Sequence, residues 1–416
     1  MIIKFLFLLF PIFLFSTSSC VFTTDYKNVK PKTETYTQSI DEDLNFEMIS
    51  VITEDLITLG EDVESVTKKV YINSFSLAKY ELSYNIYYKI RVWAEENGYK
   101  FENKGSEGAY SKASGNDTNA LFFANEGGKP LTEGLPVNGI SWRDAIVWCN
   151  ALNEYLKLEP VYCSDANFNN PIKCAIHESG KEITGCPLEY SELAKDIDMI
   201  SLQKGNIDNP YINKNSSGYR LPYDFEWEYA ARKCSDGSFI SGANAPGDKE
   251  GPSKARSDEP TLIEQIKGIT KDQIKPYSRG INAYGWGFNK RKSKKTSDID
   301  ENGYWKYCAS DENGPSLTAA GYDDSVAPSS MQGFKYRIHK QGGKLPVDLG
   351  FYDMAGNSYE WTFDFSSSYD WKYDIYSNRT YRGGTFQWDV SYFEAGYRPL
   401  IPPYVKSGGI RLARNY

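Results

Sequence analysis

The stretch LGFYDMAGNSYEWTFDF, residues 349–365, places two carboxylates among aromatic side chains. Asp353 and Glu360 flank the Gly356-Asn357 pair, and Tyr359 and other aromatic residues lie on both sides. Burying a charge in such surroundings is costly unless a partner compensates it. The stretch therefore needs a partner for its two acids, which can be backbone donors or a bound cation.

Strands and helices are predicted before and within four further motifs. Residues 46–60 and 68–83 alternate and are β-rich, which predicts two strands. Helices are predicted from Ser83 to Gly98, after Ser141 with Asp144 completing the cap, and from about Asp224. The four motifs are LPVNGISWRDAIVWCNALNE (135–154), GYRLPYDFEWEYAAR (218–232), YRGGTFQWDVSYFEAGYR (381–398) and GGIRLAR (408–414).

Together these five motifs, in this order, resemble the formylglycine-generating enzyme or sulfatase-modifying factor family. The resemblance runs from about Phe46 to Arg414. It implies an α+β domain of the C-type-lectin-like superfamily, with little regular secondary structure, long loops and bound calcium. The expected organisation is a lipoprotein signal peptide (1–20), a flexible tether (21–45) and the sulfatase-modifying-factor domain (46–416).

Carried over by position, the resemblance implies that the opening stretch binds a structural calcium ion. The ligands would be the Asp353 and Glu360 side chains and the Gly356 and Ser358 carbonyls. Calcium takes six to eight oxygen ligands, and glycine allows a bend that turns carbonyls inward. The alternative is that both acids accept hydrogen bonds from the backbone. A second motif, DIDENG (298–303), lacks the later ligands of a calcium loop and is expected to be a surface turn.

Catalysis in the aerobic family enzyme requires two cysteines that hold Cu(I) just after the Arg-Gly-Gly turn. Here the turn is Arg382-Gly383-Gly384-Thr385, and the two cysteine positions fall on Trp388 and Phe393. No cysteine follows Cys308, and neither replacement offers the soft thiolate that Cu(I) prefers. The sequence therefore argues against copper and against cysteine oxidation.

Large aromatic side chains mixed with charges occupy this position instead. Such residues give contact area at small entropic cost and are typical of recognition surfaces. An alternative is that Phe386 and Phe393 pack inside the core. We expect an unidentified protein or small-molecule ligand to contact Thr385, Trp388, Asp389, Tyr392, Phe393 and Tyr397.

The first twenty residues resemble a bacterial lipoprotein signal. An apolar run from Phe5 to Phe15 is too short to span a bilayer, and small polar residues lead to Cys20, the expected lipidation site. Thr17 departs from the usual pattern, so a plain secretory peptide remains open. We expect an envelope location, with the chain lipid-anchored to a membrane outside the cytoplasm.

Composition excludes some functions. The net charge of −8 argues against nucleic-acid binding, and two histidines cannot form a multi-histidine metal site. Cys149 lies at a helical core position, whereas Cys163, Cys174 and Cys186 crowd one loop where a disulfide is expected. Three functions compete: a binding module, a formylglycine-generating or other oxidase, and a structural subunit of an envelope assembly.

Overall fold

The computed structural model describes residues 29–63, 67–111, 121–176, 204–249, 251–253, 284–286, 336–365, 378–388 and 392–416. Three helices lie within these ranges: α1 (Tyr84–Glu96), α2 (Trp142–Tyr155) and α3 (Asp224–Arg232). The strands are β1 (Lys32–Ser39), β2 (Asn45–Leu59), β3 (Lys68–Ala78), β4 (Ser106–Glu107), β5 (Ala109–Ser111), β6 (Leu121–Phe123), β7 (Val137–Asn138), β8 (Tyr162–Cys163), β9 (Tyr211–Ile212), β10 (Tyr219–Arg220), β11 (Gly285–Trp286), β12 (Tyr336–Arg337), β13 (Ala355–Gly356), β14 (Glu360–Phe365), β15 (Arg379–Arg382), β16 (Leu400–Ile401), β17 (Gly409–Ile410) and β18 (Ala413–Asn415).

The largest sheet is antiparallel and has the order β1-β2-β3-β18-β10. Strands β2 and β3 occur where alternation predicted them. A second sheet, of order β16-β15-β14-β17, joins the opening stretch to the Arg-Gly-Gly turn. In it β14 pairs antiparallel with β15 and parallel with β17, so the two C-terminal motifs lie beside the predicted calcium loop.

The helix starts follow the predicted caps. The Ser83 hydroxyl accepts a hydrogen bond from the Ile86 amide at the start of α1. Ser141 and Asp144 form a capping box at α2, which satisfies backbone donors at the first turn. Cys149 is a buried free thiol on α2, as predicted.

Two hydrophobic clusters form most of the core. One joins α1 and α2 to Trp361, Tyr381 and Ile410, and the other joins β2 and β3 to α3 and Met354. The second sheet therefore contributes Trp361, Tyr381 and Ile410 to the first cluster. The observed class is mixed α+β with few helices, open sheets and long loops, as expected.

The structure differs from the sequence-based expectations in the tether, in residues 103–134 and in the cysteine-rich loop. The tether prediction is wrong for Lys32–Ser39, which forms a strand paired with β2 at all eight positions. The glycine-rich composition of residues 103–134 is typical of a loop, yet the described part of this region contains β4, β5 and β6. Cys163 and Cys174 are free thiols, while Cys20, Cys186 and DIDENG lie outside the described residues.

Candidate functional site

The Arg-Gly-Gly turn is held by a buried ion-pair network at its first residue. Arg382 ends β15, donates to Glu228 at 2.8 Å and also pairs with Asp224. Arg398 donates to the second Asp224 oxygen at 2.6 Å. Although burial opposes ionisation, Arg382 and Arg398 hold the pKa of Asp224 below its ordinary value. The first residue of the turn is thus held in place by ionised, charge-paired side chains.

Glycines make the turn itself possible. Gly383 and Gly384 have φ values of 86° and 77°, in the left-handed region that side-chain-bearing residues avoid. After them, the Phe386 amide and the Thr385 hydroxyl both donate to the Asn357 carbonyl at 3.1 Å. The turn is therefore fastened directly to the opening stretch.

Five aromatic rings meet beyond the turn, and we call them the aromatic cluster: Tyr359, Tyr381, Trp388, Tyr392 and Tyr397. The Trp388 ring packs edge-on against Tyr359 at 5.0 Å, Tyr392 at 5.1 Å and Tyr381 at 6.3 Å between centroids. Tyr359 and Tyr381 are 4.4 Å apart, and Tyr392 and Tyr397 are 5.8 Å apart. Edge-to-face packing fixes ring positions, so the cluster is a rigid aromatic patch.

The structure brings together only part of the predicted ligand-binding set. Trp388, Tyr392 and Tyr397 are half-buried and belong to the aromatic cluster. Thr385 and Phe393 are 5% and 1% exposed, so the structure does not place them on the half-buried surface of the cluster. Asp389 lies outside the described residues.

Phe393 is buried because glycines leave room for its ring. It packs with Ala245 and Ala355. A Cβ added at Gly384 would lie 2.7 Å from the Phe393 ring, and one added at Gly356 would lie 2.8 Å from it. The Phe393 ring thus fills the space that is left because Gly356 and Gly384 have no side chains. Position 393 is one of the two at which the family enzyme has a copper-binding cysteine.

Tyr359 and Tyr381 are members of the cluster that sequence reasoning missed. Tyr359 lies between Ser358 and Glu360, which are both buried. Successive side chains of an extended chain face opposite sides, so the sequence could have predicted that Tyr359 faces away from these two. Burial raises the pKa of both tyrosines, so both phenols stay protonated at neutral pH. Both rings are therefore neutral where they pack against Trp388.

The calcium set fits a cation only in part. Both Glu360 oxygens already accept hydrogen bonds, from Arg411 and from the Trp227 indole. Asp353 is buried and has φ of 55°; one oxygen accepts from the Gly342 amide at 2.6 Å, and the other accepts no hydrogen bond within normal geometry. Among the described residues, no group of three or more His, Cys, Asp or Glu side chains is placed to hold a metal ion. Calcium binding stays a prediction, and Asp353 is the residue that matches it best.

The other two predicted ligands lie in the same buried loop. Gly356 belongs to β13 and its amide donates to the Gly383 carbonyl at 2.7 Å. The Ser358 amide donates to Glu81 at 3.0 Å. Burial raises the pKa of Glu81 well above its ordinary value and that of Asp353 to about 6, and the neighbouring acids add to both shifts. Glu81 is a further acid that the sequence did not single out.

Two of the thiols within the described residues, Cys149 and Cys163, are poorly suited to bind a soft metal. Burial raises the pKa of Cys149, and burial with the nearby Asp165 charge raises that of Cys163 to about 11. Both are therefore protonated at neutral pH, whereas metal binding requires the thiolate.

A model of the sulfatase-modifying factor enzyme 1-like domain matches residues 45–416. The chain belongs to this family. The matched range begins one residue before the expected domain start at Phe46 and covers most of the chain. In this sulfatase-modifying-factor domain, the aromatic cluster includes residues on both sides of the Arg-Gly-Gly turn.

Among curated proteins, the chain is 30% identical over 267 residues to a protein named Chaperone protein LppX from Paenibacillus barcinonensis. The match spans 64% of this chain and 64% of that relative's length. Similar solved structures include Treponema denticola variable protein 1 (TM-score 0.47, 18% identity, 92% of this chain and 99% of that one) and CarF (0.45, 19%, 89% and 98%). PvdO from Pseudomonas aeruginosa matches with a TM-score of 0.44, 14% identity and coverage of 92% and 98%.

Within the described residues, no helix combines the length and apolar character needed to cross a membrane.

Proposed function

We propose that this sulfatase-modifying-factor domain binds a partner polypeptide through the aromatic cluster and does not oxidise cysteine. The observation that carries the proposal is the replacement of the family's two cysteine positions by Trp388, in a rigid half-exposed patch, and Phe393, in the core. A redox site is thereby replaced by a contact surface.

The rigidity and the aromatic character of the patch favour a polypeptide ligand over a small ion. Trp388 packs against two separate core clusters, so little of its conformational entropy remains to be lost on binding. Rigid tryptophan and tyrosine residues are the side chains that most often dominate protein contacts. The name of the curated relative, a chaperone protein, points to the same class of ligand.

Export and anchoring form the second part of the proposal. The apolar run Phe5–Phe15 followed by Cys20 supports a lipidated N terminus that holds the domain at a membrane outside the cytoplasm. With residues 21–31 as the link, a fully extended chain of about 3.3–3.6 Å per residue would reach some 35–40 Å from the anchor to β1. The domain would therefore stay close to the membrane surface.

An oxidase is the second candidate, and membership of the family is the observation that favours it. The side chains at positions 388 and 393 oppose it, since neither indole nor phenyl is a ligand for Cu(I).

The binding proposal is tested with a fluorescently labelled, reduced and alkylated polypeptide that cannot fold. Titration by fluorescence anisotropy should show binding by the wild-type domain. Trp388→Ala should weaken it roughly 30-fold, as for removal of an interface hot spot worth about 2 kcal/mol.

Phe122→Ala provides a matched control, because Phe122 is an exposed aromatic on β6, outside the aromatic cluster. It should bind like the wild type. Equal weakening by Phe122→Ala and Trp388→Ala would contradict a specific role for the aromatic cluster.

A further inference from the structure

Glu360 has an internal cationic partner at the place where the family resemblance implies a metal ion. Its carboxylate is fully buried and accepts hydrogen bonds from Arg411 Nε at 2.8 Å and Arg411 Nη2 at 2.6 Å. The Trp227 indole donates to the same carboxylate at 2.6 Å. A bidentate guanidinium–carboxylate pair is the strong form of a charged hydrogen bond.

Arg411 also ties separate parts of the chain together, as a structural cation would. Its Nη1 donates to the Ala78 carbonyl at 3.0 Å, at the end of β3. Its Nη2 donates to the Tyr352 carbonyl at 2.7 Å, just before the predicted ligand Asp353. One guanidinium therefore joins the large sheet, the predicted calcium loop and β14.

Strand pairing explains why Arg411 reaches Glu360. Strands β14 and β17 are parallel neighbours, with Glu360 opposite Gly409 and Trp361 opposite Ile410. Arg411 follows Ile410 directly, and residues two apart on an extended chain face the same side. The motif GGIRLAR thus supplies the charge that the opening stretch needs.

Three of the four carboxylate oxygens of Glu81 and Asp353 accept hydrogen bonds from protein donors, which leaves these oxygens less free to bind calcium. Glu81 accepts hydrogen bonds from the Ser358 amide at 3.0 Å and from the Asn357 side chain at 2.7 Å. One Asp353 oxygen accepts from the Gly342 amide, and the other accepts no hydrogen bond. Calcium requires oxygen ligands directed at one point, and a divalent ion beside a buried guanidinium would be repelled.

We propose that the Arg411 guanidinium replaces the structural cation at this loop, so that the fold does not depend on calcium there. The proposal concerns the stability of the loop and is independent of whether the aromatic cluster binds a polypeptide.

The test measures retained calcium by elemental analysis and the thermal midpoint of the wild-type protein with calcium and with chelator. The midpoint should be the same in both, and no calcium should be retained at Glu360. Stoichiometric calcium whose removal lowers the midpoint, with this response absent in Glu360→Gln, would overturn the proposal.

Two variants test the role of the guanidinium itself. Arg411→Met leaves Glu360 buried without its cation and should lower the midpoint strongly. Glu360→Gln combined with Arg411→Met removes both charges and should lower the midpoint less than Arg411→Met alone. Equal midpoints for Arg411→Met and the wild type would overturn the proposal, because the loop would then be held by something else.

Discussion

Phe393→Ala should destabilise the domain far more than truncation of its neighbours in the aromatic cluster. The Phe393 side chain is 1% exposed, so the substitution removes a whole buried ring. Replacing a buried phenylalanine by alanine costs about 3–5 kcal/mol, including the cavity that remains. The upper part of this range is expected, because Gly356 and Gly384 border the ring and have no side chains that could fill the space.

Urea unfolding followed by tryptophan fluorescence measures this loss. The midpoint should fall while the dependence of the unfolding free energy on urea stays unchanged. Tyr392→Ala is the matched control from the same segment, since Tyr392 is half-buried, and it should lose about 1 kcal/mol. A loss below about 1 kcal/mol for Phe393→Ala would refute the assignment of Phe393 to the core.

Two further predictions concern the N terminus and the acid beside Asp224. The mature protein should fractionate with membranes, and Cys20→Ala should release it as a soluble or unprocessed form; unchanged fractionation would refute lipidation at Cys20. Burial and the Asp224 charge raise the pKa of Asp364 from 3.8 to about 6, so the folded state binds a proton that the unfolded state releases, and this stabilisation is lost as the pH rises through 6. The wild type should therefore lose stability between pH 5 and pH 7, and Asp364→Asn should lose roughly 1 kcal/mol less over the same range, as measured by urea unfolding. The same pH dependence in both proteins would contradict this.

Regular elements with a hydrophobic period and a cap were predictable from the sequence. Helices α1 and α2 begin directly after Ser83 and Ser141, because both hydroxyls accept hydrogen bonds from backbone donors of the first turn. Strand β1 escaped prediction for a physical reason: it is the edge strand of its sheet and largely exposed, so its residues follow no apolar alternation. Its pairing with β2 is a tertiary contact that polar composition does not show.

The candidate site was predictable in location but only partly in its contacts. An aromatic side chain serves equally in a core and on a recognition surface, so the sequence could not separate Phe393 from Trp388. The partner of Glu360 was also hidden, because Arg411 is 51 residues further along the chain and becomes its neighbour only through the pairing of β14 with β17. The need for a partner could be deduced, whereas its identity depended on the fold.

The central claim is that Trp388 and Phe393, at the family's two cysteine positions, leave the domain unable to oxidise cysteine. Its most direct test incubates the copper-loaded protein with oxygen and a cysteine-containing sulfatase peptide, followed by mass spectrometry of the peptide. We expect no aldehyde product, because Trp388 and Phe393 cannot supply the two thiolates that hold Cu(I). Conversion of the peptide cysteine to formylglycine over many turnovers would contradict the account and identify the protein as an oxidase.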